Sequence, residues 1–128
     1  MIFRLILAAT ALWHAAATWH FLLFPERTLR RTTLERPVNA LAAEALRFLG
    51  GLNAGIAVIA GLLAFVEPSP RLAICFAGFA VANFSQFAID LRVRRRGLAR
   101  GAMFRAIIFG DGVVFLLNAV GAVGVLGL

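Results

Sequence analysis

Residues 40–101 read ALAAEALRFLGGLNAGIAVIAGLLAFVEPSPRLAICFAGFAVANFSQFAIDLRVRRRGLARG. Two apolar runs of membrane-crossing length lie in this stretch. The short EPSPR turn parts them, and the arginine-rich RVRRRGLARG closes the second. About twenty helical residues, at ~1.5 Å each, cross a hydrocarbon core of ~30 Å. Pro68 and Pro70 make a strong break, because proline lacks the N–H that a helix interior requires. The segment therefore predicts a helical hairpin through a membrane, with spans over about 40–66 and 72–91.

The pattern repeats on both sides. A first span is predicted over about 2–24, ended by Pro25, and a last one over about 102–127. The span over 40–66 is longer than a bilayer needs, which predicts tilt or a projecting first turn. Of the 128 residues, 62% are hydrophobic and 15% charged, too apolar a balance for a soluble domain of this size. The chain reads as all-α: a single domain, residues 1–128, forming an integral membrane bundle of four transmembrane helices. The start, with Arg4 and an apolar stretch, has some look of a signal peptide. The stretch is long for that, carries Trp13, His14, Trp19 and His20, and is followed by further spans, so it is read as a helix.

All thirteen basic residues are arginine, and the net charge is +7. The first loop, PERTLRRTTLERPVN, holds Arg27, Arg30, Arg31 and Arg36, and a short surface helix fits its Leu29 and Leu34. The third loop is the most basic, whereas the second holds only Arg71. Arginines placed between apolar runs point to membrane topology and anionic lipid rather than to nucleic acid, which is not an expected partner. Positive loops favour the cytoplasm. The expectation is a bacterial inner-membrane protein with cytoplasmic arginine loops and periplasmic termini, Arg4 opposing this weakly.

Small residues are expected to pack the bundle, since helices in lipid gain little from burying Leu against Leu. Gly51-Leu-Asn-Ala-Gly55 is a GxxxG, and Gly50, Ala54, Ala57 and Gly61 continue a small stripe. The expectation is packing within the chain, with a homodimer seam as the alternative. The fourth span offers Gly110, Gly121 and Gly124.

Polar residues inside spans are costly and usually face the bundle interior, so function would be written there. Thr10, His14 and Thr18 step by four along the first span. Asn53 lies on the second, while Asn83, Gln86 and Asp90 share a face of the third. Asp111 and Asn118, seven apart, share a face of the fourth. Counted from the arginine side at ~1.5 Å per residue, His14, Asn53, Asn83 and Asp111 all fall roughly 10–18 Å deep. The expectation is a polar pocket formed by His14, Asn53, Asn83, Gln86, Asp90 and Asp111, narrowing toward Asn118. The competing reading is that these side chains only hydrogen-bond helix to helix. Asp111 is too short to reach the surface, so it is expected to pair with Arg105 or Arg47 or to be protonated.

No cofactor is expected. A bis-His haem needs histidines on facing helices, and both histidines lie on one, six residues apart. That spacing does not return to one helical face, so the Trp13-His14 and Trp19-His20 pairs form no single stripe. A metal site lacks clustered His, Cys and carboxylates. The lone Cys75 reads as a small apolar residue. No GxSxG, HExxH or Walker loop occurs, and Ser85 has no histidine on its helix, so an enzyme ranks third among the readings. Phe76, Phe79, Phe84, Phe87, Phe104, Phe109 and Phe115 are read mainly as filling, with an apolar ligand site as the alternative.

The charged first loop, ALRFLGGLNAGIAVIAGLLAFVEPSPRL and ANFSQFAIDLRVRRRGLARGAMFR together resemble the small four-span proteins of the DoxX-like group. They also resemble the fungal ergosterol-biosynthesis scaffold family, with its short Glu-Pro turn and basic loop after the third span. The likeness covers roughly residues 40–110 and rests on layout. Asn83-Phe84 stands where the fungal family has an HF-type motif. The resemblance implies a non-enzymatic protein that tethers membrane enzymes. The leading expectation is thus a scaffold or accessory subunit, with membrane lipids and other membrane subunits, or further copies of the chain, as partners. A binder or transporter of a small lipophilic or protonatable ligand is the second.

Overall fold

Each predicted span is a helix in the computed structural model, which describes residues 1–127. Helix α1 (Ile2–Thr18) continues into a π-helical turn, Trp19–Leu23. The short α2 (Pro25–Thr32) occupies the first loop, and α3 (Ala40–Leu63), α4 (Pro70–Arg95) and α5 (Ala102–Leu126) follow. Four of these segments are long and apolar enough to cross a membrane. The protein is an all-α, four-span membrane bundle.

Local chemistry sets the helix ends. Pro25 opens α2, where its missing N–H costs nothing, so it starts a helix as well as ending the span before it. The Thr28 hydroxyl donates to the His20 carbonyl at 2.9 Å, satisfying an acceptor freed where α1 stops. Asn39 caps α3 by accepting from the Leu41 and Ala42 N–H groups, and Ser69 caps α4 ahead of Pro70. Helix α4 runs four residues past the expected end at Leu91, to Arg95. Arginine is a good helix former and favours the negative end of the helix dipole, so the helix outlasts the apolar run. Gly97, at φ +69°, ends it: Gly97 N–H returns to Arg94 and Leu98 N–H to Val93.

Helix α1 packs on α3, and α4 packs on α5. Contact between α1 and α5 joins the two pairs, whereas the consecutive helices α3 and α4 scarcely meet. At the end carrying the termini, Leu7, Ala60, Leu72, Phe76 and Val125 close a core contributed by all four long helices. Glycines of α5 admit aromatic rings there. A Cβ on Gly121 would come 2.8 Å from the Phe76 ring, and one on Gly124 would come 3.1 Å from Phe3. Exposed Arg4 is paired with Glu67 at 3.0 Å, which offsets the basic charge of this end.

The GxxxG does not serve this packing. Nothing lies within 4 Å of a Cβ built on Gly51, Gly55 or Gly61. The close contact is made by Gly50, whose Cβ would come 2.5 Å from the backbone nitrogen of Leu22. Helix α3 is thus seated on the π-helical turn through Gly50, and rotation about its axis turns Gly51 and Gly55 outward.

Candidate functional site

Toward the arginine-loop end the four long helices diverge around a cavity of about 340 Å³. Ala17, Phe21, Leu49, Ile56 and Ile107 contribute apolar wall, and Ala16, Leu52, Ala82 and Ala106 form exposed parts of its lining. Five of the six expected pocket residues line it: His14, Asn53, Asn83, Gln86 and Asp111. Asp90 does not. It is buried behind the wall, beside the side chains of Asp111 and Gln86. Its place one turn beyond Gln86 carries it past the cavity into the α4–α5 contact.

Helix α1 is the hub of the polar contacts. His14 Nδ1 and Asn53 Oδ1 are 2.5 Å apart, and Asn53 Nδ2 donates to Leu49 O at 2.8 Å. That tether turns the amide oxygen toward the ring, so Nδ1–H is the donor and Nε2 is left without a partner. One turn along, the Thr18 hydroxyl reaches the Gly50 carbonyl at 3.3 Å. One turn the other way, Thr10 Oγ1 accepts from Asn118 Nδ2 at 2.9 Å. Asn118 is fully buried below the cavity, where the bundle has narrowed.

Asp111 pairs with neither Arg105 nor Arg47. Its Oδ1 accepts from the Trp13 indole N–H at 2.8 Å, while Arg47 bonds to Glu26 at 2.6 Å and to Glu44. Counting depth gives height in the bundle but not direction around the helix, and Trp13 is the donor that faces α5. A Cβ on Gly110 would overlap the Trp13 ring, so the glycine beside Asp111 makes room for its partner. Trp13 is the residue that sequence reasoning missed. Its signal was an indole N–H at the depth of a buried carboxylate, which needs a donor.

The three asparagines within the spans share one device. Asn53, Asn83 and Asn118 each tie Nδ2 to the carbonyl four residues back, on Leu49, Phe79 and Val114, at 2.8 Å. Each amide therefore turns its oxygen inward. His14 Nε2 and one oxygen each of Asn83, Asp90, Asp111 and Asn118 remain buried without a partner. Of these, His14 Nε2 and the amide oxygens of Asn83 and Asn118 are acceptors, and the Asp90 and Asp111 carboxyls adjoin each other.

Other expectations fall elsewhere. None of the seven phenylalanines singled out lines the cavity; Phe21 does. Phe84 and Phe115 stack on each other instead, with ring centres 5.2 Å apart. His20 lines the cavity although it does not share a helical face with His14, because the space is wide enough to reach both. The Ser85 hydroxyl is exposed and donates to its own helix at Val81. Compared with known proteins, the chain matches no family model, no curated sequence and no solved structure.

Proposed function

We propose that this protein binds a small lipophilic molecule bearing hydrogen-bond donors, an amine or an alcohol, within the membrane. One observation carries the reading: an apolar cavity of about 340 Å³ is lined by buried acceptors that lack a hydrogen-bond partner, His14 Nε2 and Asn83 Oδ1. Its size is at the small end of ligand sites, roughly 300–1,000 Å³. A ligand with an N–H or O–H would satisfy groups that are expensive to leave unpaired, while its apolar body meets the wall.

The test uses Trp13 as reporter in a Trp19→Phe background. The purified protein in mild detergent is titrated with a phenylalkylamine, the matching alcohol and the matching hydrocarbon. Amine and alcohol are expected to shift the emission saturably, with the hydrocarbon weaker by about tenfold, the worth of one hydrogen bond of ~1.4 kcal/mol. Equal binding of the hydrocarbon, or no saturable response, would sink the reading.

A second reading, scaffold or accessory subunit, is favoured by the outward face of α3, where Gly51 and Gly55 stand open between exposed Phe48, Leu52 and Ile59. The resemblance to DoxX-like and ergosterol-scaffold proteins supports this reading too. For both, the proposed setting is a bacterial inner membrane with the arginine loops cytoplasmic and the termini periplasmic. The arginine asymmetry and the neutralising Arg4–Glu67 pair support that orientation.

A further inference from the structure

Two of the most basic segments of the chain are fastened to each other. Arg100 N–H donates to the Thr32 carbonyl at 2.9 Å and Leu34 N–H to the Leu98 carbonyl at 3.3 Å, around an antiparallel bridge between Thr33 and Ala99. Gly101 has φ +105°, and a Cβ there would come 3.1 Å from the carbonyl oxygen of Arg31. The backbone is shaped for this approach. It sets the arginines of α2 beside those that follow α4.

Most of this charge has no partner among the described residues, Glu35 being the one carboxylate of the two loops besides Glu26. Among the described residues, the only ion pairs at this end are those of Arg47 with Glu26 and Glu44. Arg36 spends its guanidinium on the carbonyls of Arg30, Thr33 and Glu35. Among the described residues, the arginines of α2, and those from Arg92 to Arg100, have no carboxylate partner. Bringing like charges together with so little counter-charge is unfavourable, so the clasp calls for an anion outside the chain.

The side chains between the arginines indicate which anion. Leu23, Phe24, Leu34 and Leu98 are 54%, 38%, 54% and 55% exposed. An aqueous polyanion such as nucleic acid would leave them in water. A lipid boundary accommodates both kinds of group: guanidiniums bind phosphate in bidentate fashion, and Leu and Phe enter the acyl region. The surface also lies where four spanning helices end, at headgroup level.

We infer that the clasped first and third loops form one composite site for the phosphate headgroups of anionic phospholipids, with Leu23, Phe24, Leu34 and Leu98 immersed beside it. The site is separate from the cavity and independent of what the cavity binds.

The test is native mass spectrometry of the full chain in mild detergent, titrated with cardiolipin, phosphatidylglycerol and phosphatidylcholine. Cardiolipin, with two phosphates, is expected to bind tightest and phosphatidylcholine weakest. Added ammonium acetate should weaken only the anionic lipids. The R30Q/R31Q/R100Q variant is expected to lose cardiolipin affinity by roughly tenfold to a hundredfold, with phosphatidylcholine unchanged. R4Q/R71Q, at the opposite end, should leave cardiolipin binding as it was. Equal affinity of the wild type for phosphatidylcholine and cardiolipin would overturn the inference, and needs no variant to fold. So would an equal loss in R4Q/R71Q, or tighter binding of a single-stranded oligonucleotide than of cardiolipin.

Discussion

The half of the bundle that carries the termini is closed, and the half that carries the arginine loops is open, although the same four helices build both. In the closed half, Phe76 and Phe3 enter the notches at Gly121 and Gly124, and Leu7 and Phe76 are 1% and 0% exposed. In the open half, α3 and α4 do not meet, and small residues such as Gly51, Gly55 and Ala82 face open space rather than a ring. A small residue draws helices together only when something opposite fills its notch. Polar pairs such as His14–Asn53 hold helices in register without filling volume. The closed half therefore supplies rigidity, and the open half supplies room.

The comparison is most easily broken in the closed half. Phe76→Ala removes a fully buried ring from the core that all four long helices build, and should cost about 3–5 kcal/mol, read as a loss of thermal stability in detergent. A loss no larger than that of an exposed residue would show that this half is not the anchor. Next comes Gly110→Ala. The added methyl overlaps the Trp13 ring, so about 1–3 kcal/mol of stability should go, together with the Trp13–Asp111 bond. In the Trp19→Phe background, the Trp13 emission should shift as its hydrogen bond is lost; unchanged emission would mean the ring is not held as described.

Asn53→Ala in the open half should cost less, about 0.6–1.7 kcal/mol, the range for one hydrogen bond between membrane helices. Ala82→Phe sharpens the comparison further. It should fill cavity space and abolish amine binding while changing stability by less than about 1.5 kcal/mol. A large destabilisation would show that the space is already occupied by packed side chains. Smallest of all, Gly51→Ala with Gly55→Ala should shift the unfolding midpoint by less than about 0.5 kcal/mol, since neither Cβ meets anything within the chain.

What could be read from the sequence follows the same division. Apolar runs and prolines mark where hydrocarbon begins and ends, so the four spans were legible. The end of α4 was not, because Arg92 to Arg95 leave the membrane without leaving the helix. Depth was legible too: a fixed rise per residue brings His14, Asn53, Asn83 and Asp111 to one layer. Partners were not, because they depend on the order of helices around the bundle. Knowing that α1 touches both α3 and α5 assigns Trp13 to Asp111 and Gly50 to Leu22. The same missing information made the GxxxG look like an internal seam. Asp90 lay on the right helix and the right face of it, yet one turn too far along to reach the cavity.

The bond between Thr10 and Asn118 spans 108 residues, and the one between Trp13 and Asp111 spans 98. During synthesis at ~5–20 residues per second, α1 enters the bilayer roughly 5–20 seconds before α5 exists to receive it. Throughout that interval Thr10 and Trp13 lack the partners they keep for the life of the protein. A nascent chain halted before Ala102 would hold Trp13 without its carboxylate acceptor, and Thr10 with only the Ile6 carbonyl of its own helix as partner.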